Sequence, residues 1–210
     1  GGVSSYICHI ILKQITMNSQ IKLKVTLLTL VTFLSFSTQI FSQSYKVSDS
    51  SSDLKVYGTS SLHDWHVDAE DVKGNIQIEV TEETLNINKL NVEIISESLK
   101  SGKKSMDKNT YKALETDKYS SIKFNYLSAK SITKVSDNTY SVEAYGNLTI
   151  TGNTQKILLK FKLKTEDNKV SIVGEKSIKM TSYGVEPPTA LLGTIKTGDD
   201  LTIKFNIKLQ

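Results

Sequence analysis

Strict alternation of apolar and polar residues, repeated in segment after segment, is the feature that most limits what this chain can fold into. In the run Ile157–Lys164, Ile157, Leu159, Phe161 and Leu163 fall on one side of an extended strand. Lys160, Lys162 and Lys164 fall on the other. The same period of two recurs at Leu54–Val56, Leu62–Val67, Ile76–Val80, Leu85–Ile87 and Leu90–Ile94. It continues at Ile122–Tyr126, Tyr140–Ile150, Ile157–Leu163, Val170–Val173 and Leu201–Leu209. Turn signals such as Asp137-Asn138 and Asp167-Asn168 separate these runs. So many short strands in sequence predict an all-β, antiparallel sandwich or barrel with an apolar inside and a lysine-rich outside.

The chain begins with a stretch that does not belong to this pattern. Met17 is the first plausible initiator, and Lys22 and Lys24 precede an apolar stretch around Val25–Phe36 with small and polar residues beyond. A positive start, a short apolar core and a small-residue exit predict a secretory signal peptide, with cleavage between Ser37 and Ser44. A membrane span needs about 20 apolar residues, and here Thr26, Thr29 and Thr32 interrupt a shorter core. Residues 1–43 are therefore expected to be upstream segment plus leader, and 44–210 one domain, periplasmic or secreted.

Removing the leader also removes Cys8, together with Lys13, Lys22 and Lys24, which lowers the formal charge from +4 to +1. A nearly neutral chain without arginine lacks the electrostatic footprint of a nucleic-acid binder. It also lacks a bidentate clamp for phosphate, so any such contact falls to lysine, hydroxyl or backbone N–H groups.

Two segments break the strand rhythm. Ser105–Thr116 is expected to be the one substantial helix, with Ser105 as its N-cap, following an exposed polar stretch Ser98–Lys104. Tyr183–Gly198 carries Pro187 and Pro188 and is expected to be an irregular connection rather than a central strand.

The chemistry-bearing residues concentrate at Leu62-His63-Asp64-Trp65-His66. As metal ligands, His63 and His66 would point to opposite faces of a strand unless the backbone bulges, and no thiolate joins them. A hydrolase would use His63 as base and Asp64 as its orienter, yet adjacent strand residues diverge and no serine stands in a nucleophile elbow. Neither a metal nor a cofactor is expected. Trp65 is either an ordinary core aromatic or part of a cavity wall. Tyr126 shares the parity of Ile122 and Phe124, so its ring is expected to face inward.

Four fragments in order resemble the YceI-like family of exported, lipocalin-like proteins associated with polyisoprenoid binding. They are Gly58–Trp65; Met106-Asp107 with Tyr111–Leu114 and Lys118–Phe124; Gly146–Thr154; and Tyr183–Pro188 leading to Gly193. Where many relatives have proline after the second fragment's tyrosine, this chain has Ser120, a difference that touches loop stiffness more than chemistry.

The resemblance covers about Tyr45 to Gln210 and implies an antiparallel lipocalin-like β-barrel of about eight strands with one short helix. It implies a non-enzymatic carrier for a long apolar ligand, a polyisoprenoid or an isoprenoid quinone, with membrane contact only for loading. The expected lining is Trp65, Phe124, Tyr126, Leu148, Phe161 and Phe205, with Tyr111 and Leu114 covering one end. A homodimer is compatible with this reading. The rival readings are a β-sandwich-like interaction module whose core is filled by side chains, and a small hydrolase or metal enzyme using His63, Asp64 and His66.

Overall fold

A change of parity within one strand shows how the sequence sets the register. Leu85 and Ile87 point inward at odd positions, whereas Leu90, Val92 and Ile94 do so at even ones. In the computed structural model, which describes residues 42–48, 52–81, 84–190 and 192–210, both runs belong to a single strand, β5 (Leu85–Ile95). Its partner β4 (Val72–Val80) pairs Gln77 with Lys89 and then Ile78 with Ile87, so Asn88 is left as a bulge. One extra residue switches the inward parity and keeps both apolar runs on the core face.

The other strands follow the alternation directly. They are β1 (Ser42–Lys46), β2 (Asp53–Ser60), β3 (Trp65–Ala69), β6 (Leu99–Lys100), β7 (Ser121–Ser136) and β8 (Thr139–Ile150). After these come β9 (Asn153–Glu166), β10 (Lys169–Lys179), β11 (Thr189–Ala190) and β12 (Ile195–Leu209). All pairings are antiparallel, in the order β1-β4-β5-β7-β8-β9-β10-β12-β2-β3-β6, with β11 added to β12. In β8, Tyr140, Val142, Ala144, Leu148 and Ile150 are buried while Ser141 is exposed.

The sheet curls because its ends are joined through the chain. β3 runs through the corner Glu70-Asp71 into β4, and β5 runs through a single 3-10 turn, Ser96–Ser98, into β6. The ladder follows both around the bend: Glu70 N–H donates to Ser98 O at 3.0 Å, and Ile95 N–H to Asp71 O at 3.1 Å. At the opposite edge, Lys46 and Gln210 exchange two N–H···O bonds of 2.9 Å, tying β1 to the end of β12.

The count of twelve strands among the described residues differs from the eight or so expected. The excess arises where the two bent runs are each cut at a corner, and where the short β1 and β11 are added.

Three further expectations are corrected. The helix α1 (Lys104–Ala113) starts a residue earlier than Ser105, and no side chain caps it at Lys103. Instead the Asp107 carboxylate accepts from Ser101 N–H at 2.7 Å and from Ser101 Oγ at 2.5 Å, holding the entry to the helix. The helix stops short of Thr116, where Glu115 takes a left-handed backbone (φ 48°).

The stretch Ser98–Lys104 is not wholly exposed, since Leu99 is buried in β6. Within Tyr183–Gly198 the prolines do lie outside strands, but β12 has already begun at Ile195, and Thr197 N–H donates to Pro188 O at 3.1 Å. Of the expected leader, only Ser42 and Gln43 are among the described residues; they pair in β1 with Glu79 and Ile78. The expected cleavage region up to Phe41 and the initiator Met17 lie outside them.

Candidate ligand-binding cavity

Burial divides the inner face of the sheet into a solid end and a hollow end. At the solid end Ile76, Ile78, Leu163, Val170 and Leu209 are at most 1% exposed and pack with Tyr140 and Val142. At the other end a smaller cluster forms from Leu148, Ile150, Met180, Tyr183 and Val185, with Ala113 of α1 and Leu114 at its C-cap against it. Between the two lies a cavity of about 410 Å³, within the size range of small-molecule sites. Its wall is overwhelmingly hydrocarbon, and among the described residues no Asp or Glu lines it.

Glycines opposite aromatic rings account for how the wall remains a wall. A Cβ on Gly58 would lie 2.2 Å from Trp65 Cζ2, one on Gly146 would lie 2.3 Å from Phe124 Cζ, and one on Gly174 would lie 2.8 Å from Phe205 Cζ. Each ring thus occupies the space that a side chain on the neighbouring strand would have taken. All three aromatics line the cavity. The Trp65 indole is fixed further by its Nε1–H, which donates to Thr59 O at 2.9 Å.

One end of the cavity is bounded by α1, by the β2–β3 connection and by the segment after β10. Met106 and Asn109 contribute from α1, Leu114 from its C-cap, and Leu62 and His63 from the connection. That connection is a tight turn in which Ser60 N–H and Oγ both donate to His63 O, at 3.1 and 2.8 Å. The helix is tied down by Tyr111, whose hydroxyl stands 2.8 Å from Glu97 O and 3.1 Å from Leu99 O and accepts from Lys100 Nζ at 2.6 Å. That contact raises the Lys100 ammonium above the ordinary lysine value.

On the far side Tyr183 O accepts from Thr151 Oγ1 at 2.6 Å and from Asn153 Nδ2 at 2.8 Å. Burial pushes the Tyr183 hydroxyl above its ordinary value. Asp199 holds the turn before Tyr183 by accepting from Thr181 N–H at 2.9 Å and Thr181 Oγ1 at 2.7 Å. Those bonds keep its carboxyl below the ordinary aspartate value.

Five of the eight residues expected from sequence line the cavity: Trp65, Phe124, Leu148, Phe205 and Leu114. Phe161 and Tyr126 point inward but belong to the solid cluster, and Tyr111 serves as the helix anchor described above. Sequence parity identifies the inner face; it does not reveal how far along that face the packing closes.

The wall residues Val56, Ile178, Leu201 and Ile203 were missed, although their parity was available. Lys176 was missed for a different reason, because a lysine was expected to face outward.

His63 and His66 are not brought together. His63 borders the cavity, with Nδ1 2.8 Å from Asp64 O, while the half-exposed side chain of His66 lies 3.8 Å from Asp68 on the other face. Among the described residues, no group of three or more His, Cys, Asp or Glu is placed to hold a metal ion.

A curled antiparallel sheet around an apolar cavity, with one helix across an end, defines a lipocalin-like class of protein. The model of the YceI-like domain matches residues 45–209, and the chain belongs to that family. No curated protein matches it.

Solved structures with the same fold include a polyisoprenoid binding domain from Saccharophagus degradans, implicated in plant cell wall breakdown. It is 14% identical, with 79% of this chain and 97% of that one covered and a TM-score of 0.64. Burkholderia cenocepacia BcnA is 15% identical, with 77% and 98% covered and a TM-score of 0.60. A Campylobacter jejuni YCEI protein is 19% identical, with 66% and 80% covered and a TM-score of 0.50. At these identities the likeness is one of fold. Three of the four fragments that carried the resemblance in sequence meet in space: Tyr119 lies against Gly152, and Thr151 and Asn153 bond to Tyr183.

Proposed function

We propose that this chain is an exported, non-enzymatic binding or carrier protein for one long apolar ligand, such as a polyisoprenoid or an isoprenoid quinone. The observation that carries this reading is the cavity of about 410 Å³ walled by Val56, Trp65, Phe124, Leu148, Leu201 and Phe205. Removing hydrocarbon from water is worth about 0.8 kcal/mol per CH2-sized group. A chain of several isoprene units therefore gains most of its affinity from the wall. The polyisoprenoid binding domain of Saccharophagus degradans, which has the same fold, supports an isoprenoid as the ligand class.

The hollow counts against an interaction module with a filled core. The divergence of His63 and His66 counts against a metal enzyme or hydrolase built on them. Export rests on the character of residues 17–43, and membrane contact is proposed only for loading. Native mass spectrometry of the protein purified from its own cells tests the reading. A lipid adduct is expected; a bare mass in every preparation would overturn it.

A further inference from the structure

One residue of the cavity wall does not fit a purely apolar guest. In β10 the inward positions are Ile172, Gly174, Lys176 and Ile178, while Val173, Glu175, Ser177 and Lys179 are exposed on the outer face. Lys176 lines the cavity. Register places it in a row with Ile203 of β12, Val56 of β2 and Val67 of β3, and all three are cavity-lining hydrocarbon. The next row toward α1 holds Ile178, Leu201, Gly58 and Trp65.

Some outward lysines of this protein find carboxylates, as where Lys160 reaches Glu143 at 2.7 Å and Lys179 reaches Asp200 at 2.8 Å. Among the described residues Lys176 has no hydrogen-bond or ion-pair partner, and the wall around it offers no Asp or Glu. Holding a half-buried ammonium against a hydrocarbon wall without a counter-charge is unfavourable in the empty protein. It becomes favourable once an anion shares the enclosure.

We propose that the cavity takes a long-chain monocarboxylate, its acid group paired with Lys176 inside and its hydrocarbon running past Trp65 toward α1. The inference rests on the reading of the hollow as a lipid site and names the ligand's head. Charge balance selects the carboxylate: one ammonium neutralises one carboxylate. A phosphate monoester carries about −1.5 to −2 at neutral pH and would leave charge uncompensated in hydrocarbon. Lys103 and His63 border the cavity at the α1 end, away from the Lys176 row, so they do not supply the missing charge there.

The test is a fluorescence titration of Trp65 with oleic acid, oleyl alcohol and oleyl phosphate at neutral pH, below the self-association limit of each. The unaltered protein is expected to bind the acid about tenfold more tightly than the alcohol, as suits a charge-assisted hydrogen bond. Lys176→Met and Lys176→Gln are expected to abolish that advantage while still binding the alcohol. Lys162→Met, on the exposed outer face of β9, is expected to keep it. Thermal melting verifies that each variant is folded.

An acid-to-alcohol ratio unchanged in both Lys176 variants would overturn the pairing, as would tightest binding of the phosphate. Binding of the alcohol without any preference for the acid in the unaltered protein would defeat this proposal alone. Failure of all three amphiphiles to bind while a prenol binds would likewise defeat this proposal alone, and failure of the prenol as well would defeat the lipid-site reading along with it.

Discussion

Gly58 and Trp65 face each other across the β2–β3 pair, and the six-membered ring of the indole fills the place of a Gly58 side chain. An added Cβ would come within 2.2 Å of Cζ2, 2.6 Å of Cε2 and 2.7 Å of Cη2. Gly58→Ala should therefore displace the indole from the wall and break its bond to Thr59 O. The cost should be about 1–3 kcal/mol, as for other overpacked sites. Urea denaturation measures the loss, and a shift in Trp65 emission should accompany it, together with weaker ligand binding.

The contrast between solid and hollow ends is also testable with one kind of substitution. Leu163→Ala, at a position with no exposure in the packed end, should cost about 2–5 kcal/mol. Leu201→Ala, whose side chain already borders empty space, should cost roughly half of that or less. Equal losses in denaturation experiments would mean that the two ends are packed alike.

Tyr111→Phe removes the hydroxyl that links α1 to Glu97, Leu99 and Lys100. A loss of about 1–2 kcal/mol is expected for these bonds. The effect should be local: faster amide exchange in Lys104–Ala113, with the β8–β9 ladder unchanged.

Acid should loosen the segment Thr181–Val185 before the rest. Asp199 is held below the ordinary aspartate value chiefly by the Thr181 N–H and hydroxyl. A carboxyl depressed in the folded state stabilises fully above its unfolded pKa of about 4 and loses that contribution as pH falls through the depressed value. Amide exchange at Thr181–Val185 should rise across that acid window and not at neutral pH. Asp199→Asn should show the raised exchange already at neutral pH.

The sheet was legible in the sequence because a half-buried strand must alternate, and every alternating run lies within a strand except Leu62–Val67, whose first three residues form the β2–β3 connection. Its boundaries were less so: β7 extends ten residues beyond the Ile122–Tyr126 run to Ser136, where exposure on both faces erases the period. The split of β5 into two runs was the imprint of the Asn88 bulge, visible as a change of parity but not identifiable without the partner strand. The corners at Glu70-Asp71 and Ser96–Ser98 left no periodic signal, and they alter the strand count.

At the site, parity placed Trp65, Phe124, Leu148 and Phe205 inward. It could not show that Phe161 and Tyr126 lie where the core closes, because depth along the inner face depends on how the whole sheet curls. Lys176 had the inward parity of Ile172 and Ile178 all along. The general rule that lysines face water concealed it.

The most direct measurement of whether the hollow encloses a hydrocarbon chain is the affinity of a series of prenols of increasing length, followed by Trp65 fluorescence. Each isoprene unit offers roughly 3–4 kcal/mol of gross burial, of which only part survives the costs of ordering. Affinity should therefore rise by about tenfold or more for each added unit, then level off once the cavity is full. Affinity independent of length, or no response from Trp65 at any length, would contradict the account.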